Sequence, residues 1–407
     1  VGVRDQQRPL AGYRVLELGN VLAGPFCCHQ LAHLGAELIK VEMPGSGDLA
    51  RRLGADPELN AKGMGVSFLA QNAGKRSITL NLKHPRGKTL LKELVRGADV
   101  LVENFRPGVM ERLGLGYEVL KRENPRLVYC AISGFGQDGP MHALPAYDQI
   151  IQGLSGAMSI TGAEDTAPYR VGYPIADTIG GITAALAIAA ALAGRAGDRR
   201  GEGCFLDVSM LESVIATMGW VVSNYLIAGR RPQALGNRNF TASPSGTFSS
   251  GDGLINIAAN EQQQFEALCR VVARPELLDD PRFADRQARL ENRAELERRL
   301  EAALAARPAA DWISRLNAAG VPAGAVLDVP AALAQAQIRE RGMVACFEDV
   351  TGVDRDVRVV RTGIKIDGRA PRVDDPPPRL GEHTDAVLSG LGYDRDAIEQ
   401  LRNEGVI

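Results

Sequence analysis

Between residues 13 and 133, short apolar runs alternate with longer stretches of helical spacing, and this rhythm constrains the fold more than any other feature. "YRVLEL" (13–18), "ELIKVE" (37–42), "DVLVEN" (99–104) and "RLVYCAIS" (126–133) read as buried strands. A glycine turn, "LAGP" (22–25), leads into a helix running to Leu34, and "GKTLLKELVRGA" (87–98) carries apolar residues at helical spacing. Such strand–helix–strand units predict an α/β, Rossmann-like domain with a parallel sheet covered on both faces, whose ligands gather at the C-terminal strand ends. No GxGxxG follows the first strand and no Walker P-loop occurs, so a nicotinamide dehydrogenase is disfavoured while the architecture stands.

The remainder changes character. "CFLDV" (204–208) reads as a short strand after the charged turn "GDRRGEG", and a long apolar helix follows it to residue 226. The chain is loop-like from 229 to 248, then gives a strand in "GDGLINIAA" (251–259) and charged helices near 261–273, 283–306 and 310–320. "VRVVRTGIKI" (357–366) returns to strand, and a Pro-rich turn precedes a helix in 374–393. We therefore expect a large domain over 1–205, a linker helix over 206–229, a small α+β domain over 230–330, and a return to the large domain over 331–407. With 407 residues, 45% hydrophobic, and a net charge of −2, nothing points to nucleic acid. The run Ile179–Ala193 spans 15 residues, short of the ~20 a bilayer requires, so it reads as a buried core helix. Six scattered cysteines without metal-ligand spacing, and an N-terminus without an apolar signal core, suggest a cytoplasmic, metal-free protein.

Asp177 opens that small-residue segment, "ADTIGGITAALAIAAALAGR". An aspartate at a helix start is commonly a cap for unpaired N–H groups. It can equally be a nucleophile that attacks an acyl carbon, with Gly180 and Gly181 permitting close approach. The sequence leaves both readings open. Arg106 and Arg112 flank Pro107–Gly108 after a strand, and Lys75 and Arg76 follow a glycine, placements suited to phosphate groups. "SGFGQDGP" (133–140), with Gly136 and Gln137, is built for close backbone approach and stabilisation of a carbonyl oxygen. The five histidines suggest no catalytic triad.

Four segments, "LELGNVLAGPFCCHQLAHLGAELIKVEMPGSGD", "NAGKRSITLNLKHPRGK", "ADVLVENFRPGVMERLGLGYEVLKRENPRLVYCAISGFGQDGP" and "ADTIGGITAALAIAAALAGRAGDRRGEGCFLDVSML", resemble the class III (CaiB/BaiF) coenzyme A transferases. The resemblance implies that Asp177 is the nucleophile, passing through an aspartyl–acyl anhydride and an aspartyl-CoA thioester. It implies CoA contacts along Leu22, Met43, Lys75, Arg76, Asn104, Phe105, Arg106 and Arg112, although some relatives carry arginine where Met43 stands. It further implies an interlocked homodimer and no cofactor beyond CoA thioester substrates. Racemases of this fold place a histidine where Tyr147 stands, and an unperturbed tyrosine, with a pKa near ~10, is a poor base at neutral pH. Transfer is therefore favoured over racemisation. The glycine run of the formyl-CoA branch is missing from "LGNRNFTASPSGTF", and the segment looks more like members moving CoA between dicarboxylic acids, with succinyl-CoA a common donor. Arg238 or Arg231 could then hold the far carboxylate.

Overall fold

The computed structural model describes residues 8–197 and 201–407, in two compact units. The first comprises the chain up to Ala157, Val171–Ser223 and Ala336–Ile407; the second comprises Met158–Arg170 and Asn224–Gln335. The division thus falls at 223/224 and 335/336 rather than near 229 and 330, and 158–170 joins the second unit.

The first unit is built on a six-stranded parallel sheet ordered β3-β2-β1-β4-β5-β6. Its strands are β1 (Arg14–Glu17), β2 (Glu37–Glu42), β3 (Lys75–Thr79), β4 (Val100–Glu103), β5 (Val128–Ser133) and β6 (Phe205–Ser209). The order reverses direction between β1 and β4, which pair through Val15↔Val100 and Leu16↔Leu101. At such a switch point the loops after the two strands part and leave a crevice. Both sheet faces are buried, so β1, β4 and β5 read as continuous apolar runs.

β3 was not expected from the sequence. Its run, KRSIT, lacks an apolar face because Lys75 and Ser77 point inward and are satisfied by other charges. Lys75 Nζ lies 2.7 Å from Glu17, while Ser77 Oγ donates to Glu42 at 2.7 Å. The charged turn "GDRRGEG" falls partly outside the described residues. The expected linker helix is two helices, Met210–Thr217 and Gly219–Ala228, bent by 75° at Met218.

One sheet face is covered by helix α1 (Ala23–His33), helix α2 (Asp148–Leu154) and helix α3 (Ile175–Gly197). The 23 residues of α3 are apolar and long enough to cross a membrane by length and composition, exceeding the 15-residue run expected. Ala176, Gly180, Gly181, Ala184, Ile188, Leu192 and Arg195 form a buried stripe at helical spacing. A methyl group on Gly181 would lie 2.8 Å from the Ala23 carbonyl, and one on Gly180 the same distance from Met210 Cγ. The glycine pair is therefore a packing device: Gly181 brings α1, and Gly180 the helix beginning at Met210, against α3. The other face is open, with Ile182 and Leu186 54% and 70% exposed, so α3 is half-buried rather than a core helix.

The second unit has its own apolar core around Phe248, Phe265, Phe283, Leu300 and Trp312. A three-stranded antiparallel sheet, Ser245–Ser249, Leu254–Ala258 and Ala323–Ala325, forms part of it. The first of these strands begins within the stretch read as loop and ends one residue beyond it, at Ser249.

Candidate active site

Asp177 is the third residue of α3, inside its first turn rather than at the cap. The capping task belongs to Asp148, at the start of α2, whose Oδ1 accepts the Ala176 N–H at 2.7 Å. Asp148 is itself buried, and its Oδ2 accepts from Gln152 Nε2 at 2.7 Å. The Asp177 side chain makes no hydrogen bond or ion pair among the described residues. Burial first, and the nearby Asp148 charge second, push its carboxyl up to about 7.

A cavity of about 280 Å³ holds this carboxylate at the switch point of the sheet. Its walls come from three loops. Asn20, Val21 and Leu22 follow β1, Asn104, Phe105, Arg106 and Pro107 follow β4, and Ser133 and Gly134 close β5. Leu144, Ala146 and Tyr147 complete the rim, where Tyr147 is 69% exposed.

The loop after β1 is clamped from below by buried charges. Lys40 Nζ pairs with Glu17 at 2.7 Å and Asp48 at 2.9 Å, and donates to the Gly19 carbonyl at 2.8 Å. Lys75 Nζ donates to the Pro25 carbonyl at 2.8 Å, and Asp48 Oδ1 accepts the Val21 N–H at 2.9 Å. Asn104 grips Asn20 twice, accepting its N–H at 2.7 Å and donating to its carbonyl at 2.9 Å. These bonds hold Val21 at φ +64°, a left-handed conformation uncommon for a β-branched residue. Sequence reasoning missed this clamp and Asp148. The only available signal was charge within apolar strands: "LEL", "IKVE" and "GKRS".

The remaining candidates divide. Leu22, Asn104, Phe105, Arg106 and Tyr147 line the cavity with Asp177, and Arg106 is exposed with no side-chain partner among the described residues. Lys75 is corrected: its ammonium, 1% exposed, serves Glu17 and Pro25 and is not available to a phosphate. Arg76 pairs with Glu37 at 3.1 Å, while Arg112 and Met43 are exposed and do not line the cavity. The backbone N–H groups of Gly136 and Gln137 are already taken by Ser133 Oγ and Asp207 Oδ2. Gln137 Nε2 is buried without a partner, and neither Gly136 nor Gln137 lines the cavity, so the expected oxyanion role of this loop is corrected. Arg238 and Arg231 belong to the second unit, and Arg238 is engaged by Glu297 at 2.7 Å.

The sequence pattern of CoA-transferase family III matches residues 10–384. The chain belongs to that family. A mouse (Mus musculus) relative described as succinyl-CoA:glutarate CoA-transferase is 38% identical over 404 residues, covering 99% of this chain and 91% of its own. An Acetobacter aceti relative described as acetyl-CoA:oxalate CoA-transferase is 42% identical over 337 residues, covering 83% and 85%. The crystal structure of a CAIB/BAIF family protein from Brucella suis superposes with a TM-score of 0.81 at 36% identity, covering 94% of this chain and 99% of the other. This family III protein is accordingly a CoA-transferase enzyme, with the six-stranded α/β fold of its relatives.

Proposed function

We propose that this family III enzyme moves CoA from an acyl-CoA of the succinyl type to a dicarboxylic acid, with Asp177 as the covalent nucleophile. The observation that carries this reading is a carboxylate relieved of capping duty by Asp148 and left without partners inside the cavity. The named acceptors of the two relatives, glutarate and oxalate, are both dicarboxylic acids. An ionised Asp177 oxygen attacks the thioester carbon, the C–S bond breaks, and CoA leaves as thiolate, giving an acyl–aspartyl anhydride. The thiolate then attacks the aspartyl carbonyl, releasing the donor acid and forming an aspartyl-CoA thioester. The acceptor carboxylate attacks that thioester, and returning thiolate takes the acceptor's acyl group, restoring Asp177. Arg106 anchors CoA phosphate at the rim, and Phe105 and Leu22 supply apolar contact.

A second copy of the chain would cover the open α3 face, where Ile182 and Leu186 lie exposed, and a homodimer is part of the proposal. The six cysteines are all unpaired, in keeping with a reducing cytoplasm. The test of the chemistry is trapping: succinyl-CoA and hydroxylamine should place a hydroxamate on the Asp177 peptide, seen by mass spectrometry. Deuterium entering the α-carbon of a 2-methylacyl-CoA, with no acyl exchange across a dicarboxylate panel, would establish the racemase alternative and overturn transfer.

A further inference from the structure

A second cavity in the first unit, of about 430 Å³, is lined by Arg8, His33, Arg361, Arg369, Pro371 and Arg372, among others. It shares no lining residue with the Asp177 cavity. Helix α1 separates the two: Leu22, just before its start, faces one, and His33, its last residue, faces the other. Its 11 residues put them about 16 Å apart along the helix axis.

The concentration of positive charge here lacks a matching set of carboxylates. Asp374 pairs with Arg8 and, at 3.2 Å, with Arg372. Neither Arg361 nor Arg369 has an ion pair among the described residues. Arg361 donates to the Gly342 carbonyl through Nη2, while its Nε is buried with no hydrogen-bond partner. His33 is 1% exposed; its Nε2 meets His29 Nε2 at 3.1 Å, and its Nδ1 is buried without a partner. Burial, and then the Arg372 charge, hold the Arg361 guanidinium below its usual range; burial, and then Arg361, bring His33 down to about 4. The groups therefore feel one another across the cavity. The backbone that carries Arg369 is closed into a turn. Ile366 and Arg369 exchange backbone hydrogen bonds of 2.8 and 2.9 Å around a turn with Asp367 and Gly368 at φ +48° and +78°.

We propose that this cavity is a binding site for a small polyanion of the phosphate class, held by Arg361 and Arg369 with Arg372 and Arg8 at its rim. A guanidinium offers two parallel N–H groups that match adjacent phosphate oxygens, and an anion would relieve the repulsion among the unpaired cations. The unsatisfied Arg361 Nε and His33 Nδ1 mark where buried polar groups await a partner.

The test is calorimetric titration of the full-length protein with inorganic pyrophosphate, against sodium chloride of equal ionic strength. We expect millimolar or tighter binding, weakened roughly tenfold or more in the Arg361→Gln/Arg369→Gln double variant, whose KM for acyl-CoA stays unchanged. Arg106→Gln should do the reverse, raising the KM for acyl-CoA while leaving pyrophosphate binding intact. Failure of the wild type to bind, binding unaltered in the double variant, or dissociation of the oligomer in that variant would each overturn the site. Citrate binding as tightly as pyrophosphate would overturn the phosphate class.

Discussion

Replacing Asp177 with asparagine separates what the side chain does for the reaction from what it costs the fold. In the folded chain its carboxyl is pushed from 3.8 to about 7 by burial and then by Asp148. A folded pKa above the unfolded one contributes stability that is fully present below the unfolded value and lost as pH rises through about 7. At about 1.4 kcal/mol per pH unit the ceiling is roughly 4 kcal/mol. The N-terminal field of α3 favours the anion by about 0.3–1 kcal/mol, and partial solvent access reduces the penalty further, to about 2 kcal/mol. Asparagine carries no such penalty. The variant should match wild type near pH ~4, gain through the interval up to about 7, and be about 2 kcal/mol more stable near pH ~8.5. Transfer activity should fall to background. Urea unfolding followed by circular dichroism across that range measures the difference. A variant no more stable than wild type at the alkaline end, or equally favoured at every pH, would refute the claim that the nucleophile is held out of its preferred charge state.

The same ionisation should give kcat/KM an acidic limb near about 7, since only the anion attacks. Asp148→Asn should move that limb to lower pH by removing a like charge; an unmoved limb would leave burial as the sole cause. Lys40→Met leaves Asp48 without its cation and Glu17 with Lys75 alone, and should cost about 3–5 kcal/mol, read by thermal unfolding. Gly181→Ala gains helix propensity but drives a methyl to 2.8 Å from the Ala23 carbonyl, so a net loss of about 1–3 kcal/mol is expected in urea titration. Tyr147→Phe, at an exposed rim position, should leave stability within about 0.5 kcal/mol while acyl-CoA kinetics report any contact it makes.

Four strands of the large sheet were legible because they are buried on both faces and are therefore mostly apolar, while the half-exposed edge strand Phe205–Ser209 was legible from its Phe, Leu and Val. Lys75–Thr79 escaped the same reading for a physical reason. Two of its three buried residues, Lys75 and Ser77, are polar, and pattern recognition has no access to the Glu17 and Glu42 carboxylates that satisfy them from other strands. The misassignment of Lys75 as a phosphate contact follows from the same blindness, since a lysine after a glycine looks solvated until its partner is located. Asp177 was visible as a candidate, but choosing between cap and nucleophile required knowing that Asp148, 29 residues earlier in the chain, occupies the Ala176 N–H. Arg238 was plausible as a carboxylate ligand only while Glu297 remained out of sight. Periodicity carries burial; it does not carry pairing.

Assigning the Ala176 N–H to Asp148 has a bearing on turnover itself. In the proposed cycle Asp177 changes covalent identity repeatedly, from free acid to anhydride to thioester, and each adduct abolishes its charge and occupies its oxygen. Were the helix end tied off by that oxygen, every cycle would untie it, and the first turn would fray whenever an intermediate formed. With the knot kept on a neighbouring helix, the reacting group can be esterified and released without the scaffold registering the event.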